Sequence, residues 1–295
     1  FLWHTEHTED KSSRYPDPRI QSNGTYVKDT KGKYGPDLYV KYINNFIERN
    51  SEEPFFVYYP MALTHGPFNP TPDSDDWLNG NRFENNPDKY FGDMVEYMDK
   101  LIGLIDAKLG ELGIRENTIL IFYGDNGTPR EVTSKMRDGR VISGGKGLNN
   151  RRGTHVPLIV NWPGSQAGGR VVSDLVDTTD FIPTLLEAAS IPLPKNEIFD
   201  GRSFLPQVLG EKGNPRDWIF IHHNPLPGHN KIGRSLSRWI QDKQYQLFDE
   251  TGHHHFFDYT IDPELLHPID LRNANDETKA AHAKLKQAIA TMQND

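Results

Sequence analysis

MVEYMDKLIGLIDAKLGELGIRENTILIFYGDNG, residues 94–127, contains a helix, a break and a strand in that order. Phe91, Met94, Val95, Met98, Leu101, Ile102, Ile105 and Leu109 recur at helical spacing and give the helix one apolar face. Asn86-Pro87 supplies an N-cap and a first helical residue that needs no N–H donor, and Gly110 and Gly113 end the helix. TILIFY (118–123) then reads as a strand buried on both faces, and it runs into Gly124-Asp125-Asn126-Gly127.

The same texture extends to both sides. PFFVYYPMAL (54–63) is a second near-continuous apolar run, predicted to be a buried strand ending at Thr64-His65-Gly66-Pro67. Before it, Asn23-Gly24 predicts a hairpin turn, and Pro36 opens a helix carrying Leu38, Tyr42, Ile43, Phe46 and Ile47. After TILIFY come a basic, glycine-rich loop, a third strand VPLIVNW (156–162) and a helix at about 178–190. The alternation predicts an α/β domain over 1–211 with a doubly wound, mostly parallel sheet. Beyond 212, DWIFIHH, SRWIQ, YQLF and HFFDY predict a small antiparallel sheet, with a terminal helix at 276–292, as a second part spanning 212–295.

Composition narrows the function. A net charge of −8 over 295 residues argues against nucleic acid as partner. No apolar run is long enough to span a membrane. There is no cysteine, hence no disulfide, thiolate ligand or cysteine nucleophile. One region breaks the acidic balance. Between Glu131 and His155 stand Lys135, Arg137, Arg140, Lys146, Arg151 and Arg152 against only Glu131 and Asp138, which suits a small anionic ligand or else a solvated loop.

Ligands of open α/β sheets bind at the carboxyl ends of strands, and two predicted strand ends carry reactive side chains. Asp125 and Asn126 offer hard oxygens suited to Ca²⁺ or Mg²⁺, although Asp-Asn-Gly is also ordinary turn sequence. His65 is either an oxyanion donor or general acid, or simply an exposed residue. Lys146 lies in Gly144-Gly145-Lys146-Gly147, where glycines allow close approach of backbone to a tetrahedral anion; the pattern is not a P-loop. His222, His223, His253, His254 and His255 are discounted as a transition-metal site, because neighbouring strand residues face opposite ways.

Taken in order, PFFVYYPMALTHGPF, the 94–127 stretch, GGKG with GTHVPLIVNWPG, DLVDTTDFIPTLLEAASIPLP, DGRSFLPQVLG and RWIQDKQYQLF resemble the sulfatase family of the alkaline phosphatase-like superfamily. The resemblance implies an arylsulfatase-like hydrolase of aryl or carbohydrate sulfate esters. It implies that Asp125 and Asn126 ligate a divalent cation, calcium in preference to magnesium. Lys146 and His65 would hold the sulfate oxygens, and His65 would also protonate the leaving group. A periplasmic or secreted location is typical of the family.

The departures matter as much. The family's nucleophile is a formylglycine made from Cys or Ser in [CS]-x-P-x-R, and Ser190-Ile191-Pro192-Leu193-Pro194 fails at the arginine. The Asp-Asp metal pair and the Lys-x-His pair have no match, and Asp75-Asp76 follows a polar loop rather than a strand. We therefore expect the first sheet strands and the nucleophile to lie in an upstream segment of the same protein, and the chain by itself to be inactive. Two alternatives stay open. One is a phosphodiesterase or phosphonate monoester hydrolase of the same superfamily. The other is a non-catalytic binder of sulfated glycans using Lys135, Arg137, Arg140, Arg151 and Arg152.

Overall fold

The computed structural model describes residues 2–3, 13–165, 167–224, 236–249 and 255–292. The chain opens with β1 (Leu2–Trp3), β2 (Ile20–Ser22), β3 (Thr25–Tyr26), α1 (Gly35–Arg49), α2 (Asp76–Asn79) and α3 (Pro87–Glu111). It continues through β4 (Leu120–Tyr123), β5 (Thr133–Lys135), β6 (Val141–Ser143), α4 (Arg151–Thr154), β7 (Leu158–Asn161), α5 (Phe181–Ala188) and α6 (Leu205–Val208). It closes with β8 (Ile219–His223), β9 (Ser237–Gln241), β10 (Tyr245–Phe248), β11 (Phe256–Asp258) and α7 (Asp276–Thr291). Two compact units result: residues 1–146 with 157–164, and residues 147–156 with 165–295.

The first unit is organised by α1 and α3. Asn86 Oδ1 accepts from Lys89 N at 3.2 Å and Pro87 starts the helix, so α3 begins where its sequence predicts. Gly113, at φ +70°, takes the left-handed conformation that ends it. Tyr90, Met94, Tyr97 and Leu101 face a core with Tyr34, Val40, Leu63, Phe68 and Trp77. The Tyr97 hydroxyl donates to Asp37 of α1 at 2.8 Å, and burial raises the Asp37 carboxyl above its ordinary range. The Asn23-Gly24 hairpin forms as expected, with Ser22 opposite Thr25 and positive φ at both central residues.

Two sheet expectations need correction. Residues 54–63 lie in no ladder among the described residues; they form an extended segment with alternating burial. Phe55, Val57 and Tyr59 pack on Ile43, Ile47 and Leu109, whereas Phe56 and Tyr58 remain 69% and 68% exposed. The run is apolar throughout, so its sequence hides this two-sided division. In addition, β4 pairs β7 antiparallel, Leu120 opposite Asn161 and Tyr123 opposite Leu158, and the named strands of the described residues form no parallel ladder. An apolar run carries no direction, and β4 and β7 are joined through the β5–β6 hairpin and the four-residue α4 rather than a packed crossover helix.

In the second unit, β8 to β11 form the expected antiparallel sheet in the order β11-β10-β9-β8. One face, with Ile240, Tyr245, Leu247 and Phe256, packs on Leu285 and Ile289 of α7; the other buries Trp239, Phe248 and Phe257. α5 is introduced by a capping box, Asp177 with Asp180. Asp180, 1% exposed, accepts from Arg216 Nε at 2.9 and 2.7 Å, from Arg216 Nη2 at 2.6 Å and from Arg202 N at 2.6 Å. Asp180→Ala leaves the Arg216 guanidinium without its counter-charge in a confined site. It should cost about 3–5 kcal/mol of stability in urea unfolding, and an unchanged midpoint would show the pair to be inessential.

Candidate functional site

The turn that presents His65 is fixed from beneath. Tyr15 is fully buried, and its hydroxyl lies 2.7 Å from Ala62 O and 2.5 Å from His65 O, where it donates to the pair of carbonyls. Burial pushes this phenol upward, which keeps it a donor. His65 N closes the turn by donating to Ala62 O at 2.9 Å, and Leu63 anchors it in the core.

Lys146 is placed by a different device. Its backbone N–H donates to Thr128 O at 2.9 Å, which closes residues 128–146 into a loop carrying the β5–β6 hairpin. Gly144 N donates to Val132 O at 2.9 Å, and Val132 N donates to Pro129 O at 3.1 Å. Val132 is the apolar peg of this otherwise exposed arm, 2% exposed and part of the α3 core. Gly144 is essential to the closure, since a Cβ there would lie 2.1 Å from Pro129 O and 2.3 Å from Thr128 O.

The two side chains meet. Lys146 Nζ lies 3.1 Å from His65 Nε2, and His65 Nδ1 lies 2.9 Å from Gly66 O. A carbonyl only accepts, so Nδ1 carries the hydrogen. The Nε2 lone pair then accepts from the lysine ammonium. His65, Gly66, Pro129, Arg130, Glu131 and Lys146 line one open depression of about 280 Å³. Arg130 Nε donates to Lys146 O at 3.1 Å.

Asp125 and Asn126 follow β4 after Gly124, two to three residues before the Thr128 that bonds Lys146. Asp125 is exposed and Asn126 half-buried, and neither side chain has a hydrogen-bond or ion-pair partner among the described residues. Two adjacent unpartnered hard oxygens fit a divalent cation as part of a donor set, but two are fewer than Ca²⁺ or Mg²⁺ takes. Among the described residues, no cluster of three or more His, Cys, Asp or Glu could complete it.

Other candidates resolve differently. Asp76 is engaged by Lys89 and by the Tyr90 hydroxyl, a structural role. His222 and His223 are successive residues of β8, and His223 packs edge-on to Trp239; His253 and His254 lie outside the described residues. The five-cation surface is divided. Arg140 pairs with Asp138, Arg152 pairs with Glu264, and Arg151 bonds His155 and covers the Tyr259 ring. Arg151 and Arg152 also belong to the second unit, Lys135, Arg137 and Arg140 to the first. Sequence reasoning missed Arg130, Glu131 and the supports Tyr15 and Val132. Arg130 stands just outside the basic interval, and the available signal was its position five residues after Asp125 on a strand-end loop.

Lys146 and His65 share one depression, and the Asp125-Asn126 pair stands at the end of the strand that precedes the Lys146 loop. The sulfatase family model matches residues 3–191, and the chain belongs to that family. Residues 146–295 match the model described as N-sulphoglucosamine sulphohydrolase, C-terminal. Human arylsulfatase A is 32% identical over 175 residues, covering 59% of this chain and 32% of that protein. The chain thus spans about a third of that curated relative's length. Two solved structures share the fold. Ps i-CgsB in complex with k-i-k-neocarrahexaose has a TM-score of 0.68 at 22% identity, covering 94% of this chain and 57% of that one. BT4656 in complex with its substrate D-glucosamine-2-N,6-O-disulfate has a TM-score of 0.65 at 17% identity, covering 95% and 73%.

The contact between Lys146 and His65 predicts a specific ring state. Long-range ¹H–¹⁵N spectra above pH 8 should show the Nδ1–H tautomer of His65, and Lys146→Ala should shift the Nε2 resonance while Gly66 O keeps that tautomer; an Nε2–H tautomer in the unsubstituted chain would contradict the geometry. Gly144→Ala should displace Lys146 and break its contact with His65 Nε2, read as a shift of the Nε2 resonance, with the helical circular dichroism of α1 and α3 retained.

Proposed function

We propose that this chain supplies the sulfate-holding part of a sulfuric ester hydrolase acting on carbohydrate or aryl sulfates. The observation that carries the reading is the Lys146–His65 pair, 3.1 Å apart at the rim of an open depression. A sulfate ester entering it would draw the lysine ammonium away from Nε2 and onto a sulfuryl oxygen. Lys146 would then oppose the charge that develops there in the transition state. Once released and protonated, His65 Nε2 faces the ester and could donate to the departing oxygen, while Gly66 O keeps the ring oriented through Nδ1.

Asp125 and Asn126 would contribute part of the ligand set of a divalent cation, Ca²⁺ ahead of Mg²⁺, with the remaining ligands coming from outside this chain. Such a cation, when bound, supplies positive charge against the sulfate oxygens. The nucleophile, a formylglycine in this reading, would likewise come from an upstream segment of the same protein. An exposed surface supports that completion. Phe56 and Tyr58 are open to solvent on one side of the extended segment, and Tyr58 hydrogen-bonds the half-buried Tyr123 of β4. Strands from the upstream segment would cover this side and extend the sheet into the doubly wound, mostly parallel form. The carbohydrate side of this proposal is suggested by the glycan ligands of the two structural neighbours. A periplasmic or secreted setting accords with this substrate class.

The test uses 4-methylumbelliferyl sulfate and sulfated monosaccharides with added Ca²⁺. The purified chain alone should release no product above background, and the product of the extended reading frame should turn over. In that longer protein, Lys146→Ala and His65→Ala should each lower kcat by about 10²-fold or more. Robust turnover by the chain alone would overturn the reading. Hydrolysis of phosphodiesters in place of sulfates by the longer protein would assign it to phosphoryl transfer. Sulfated-glycan binding without any turnover would make it a binding protein.

A further inference from the structure

The depression holds more cationic chemistry than one sulfate ester needs. Lys146 and His65 together suffice to meet one sulfate group, yet Arg130 lines the same space. Its Nε donates to Lys146 O at 3.1 Å, which ties the guanidinium to the lysine backbone at one point. The two terminal nitrogens have no carboxylate partner among the described residues, and no ion pair joins Arg130 to neighbouring Glu131. Arg140, further along the same arm, shows the contrast, with its guanidinium engaged by Asp138 at 2.7 Å.

A guanidinium with a free terminal edge is matched to a planar or tetrahedral oxyanion, which it can take bidentately. With Nε held by Lys146 O, the terminal edge is the part of Arg130 left to meet an anion. We propose that Arg130 binds a second anionic group of the same substrate, so that the preferred ligand is a sugar carrying a further sulfate or a carboxylate beside the sulfate ester. Glu131 in the same lining disfavours an anion beside its carboxylate. This inference rests on the sulfatase reading of Lys146 and His65.

Titration of the purified chain, followed by NMR at fixed ionic strength, tests it with three probes: N-acetylglucosamine 6-sulfate, N,6-O-disulfated glucosamine and a 2-O-sulfated uronic acid. One of the two dianionic sugars should bind about tenfold more tightly than the monosulfated one, and which of them does so identifies the second group. Arg130→Ala should abolish that preference and leave monosulfate affinity within about twofold, Arg130→Lys should retain part of it, and Lys135→Ala, on the exposed arm, should leave it intact. Equal binding of all probes, or an equal loss of all on Arg130→Ala, would overturn the role of Arg130 while Lys146→Ala still weakens binding. If no probe binds and Lys146→Ala changes nothing, the sulfate reading of the site falls with it.

Discussion

Closure of residues 128–146 is the constraint on which the site depends. One backbone bond, Lys146 N–H to Thr128 O, joins the loop that follows the Asp125-Asn126 pair to the lysine that faces His65. The bond forms only because Gly144 lets the returning chain pass over Thr128 O and Pro129 O at distances no side chain could accept. Val132 ties the closure to the core, and that core includes Leu63, two residues before His65. Both halves of the Lys146–His65 contact are thus referred to the same packed cluster rather than to the exposed loops that carry them. Pre-organisation of this kind gives an electrostatic site its effect, since little reorganisation is left for the moment of binding.

The α1–α3 pair is the scaffold beneath that cluster, and its logic was plain in the sequence. Caps, proline positions and apolar spacing agree for α3, and the same spacing places Ile43 and Ile47 of α1 on Leu109. The small sheet of the second unit was legible for a related reason. Short β-branched and aromatic runs separated by turn residues leave few alternatives to antiparallel pairing, and the terminal helix predicted after them packs on that sheet through Leu285 and Ile289.

What sequence could not show was partnership. Phe55 to Tyr59 is apolar at every position, so nothing in it reveals that Phe55, Val57 and Tyr59 point inward and Phe56 and Tyr58 do not. The direction of β7 relative to β4 depends on the path between them, and a polar loop gives no sign of that path. At the site, Asp125, Asn126, His65 and Lys146 could be named from residue type and position. The 3.1 Å contact and the Tyr15 hydroxyl under the turn could not, because each depends on segments distant in sequence.

The chain crosses between its two units more than once. It leaves the first after Lys146, contributes residues 147–156 to the second, returns for 157–164 and leaves again. β4 is therefore incomplete until β7 has been made, after a ten-residue excursion that includes α4. No single cut in the chain separates the units cleanly. A fragment ending at Lys146 keeps the lysine but loses the strand beside β4, and one ending at Gly164 keeps that strand but carries a stranded piece of the other unit. During synthesis, likewise, the ladder beside the Asp125-Asn126 turn cannot form before residue 161 has emerged. Maturation of the first unit is thereby timed by a segment that belongs to the second.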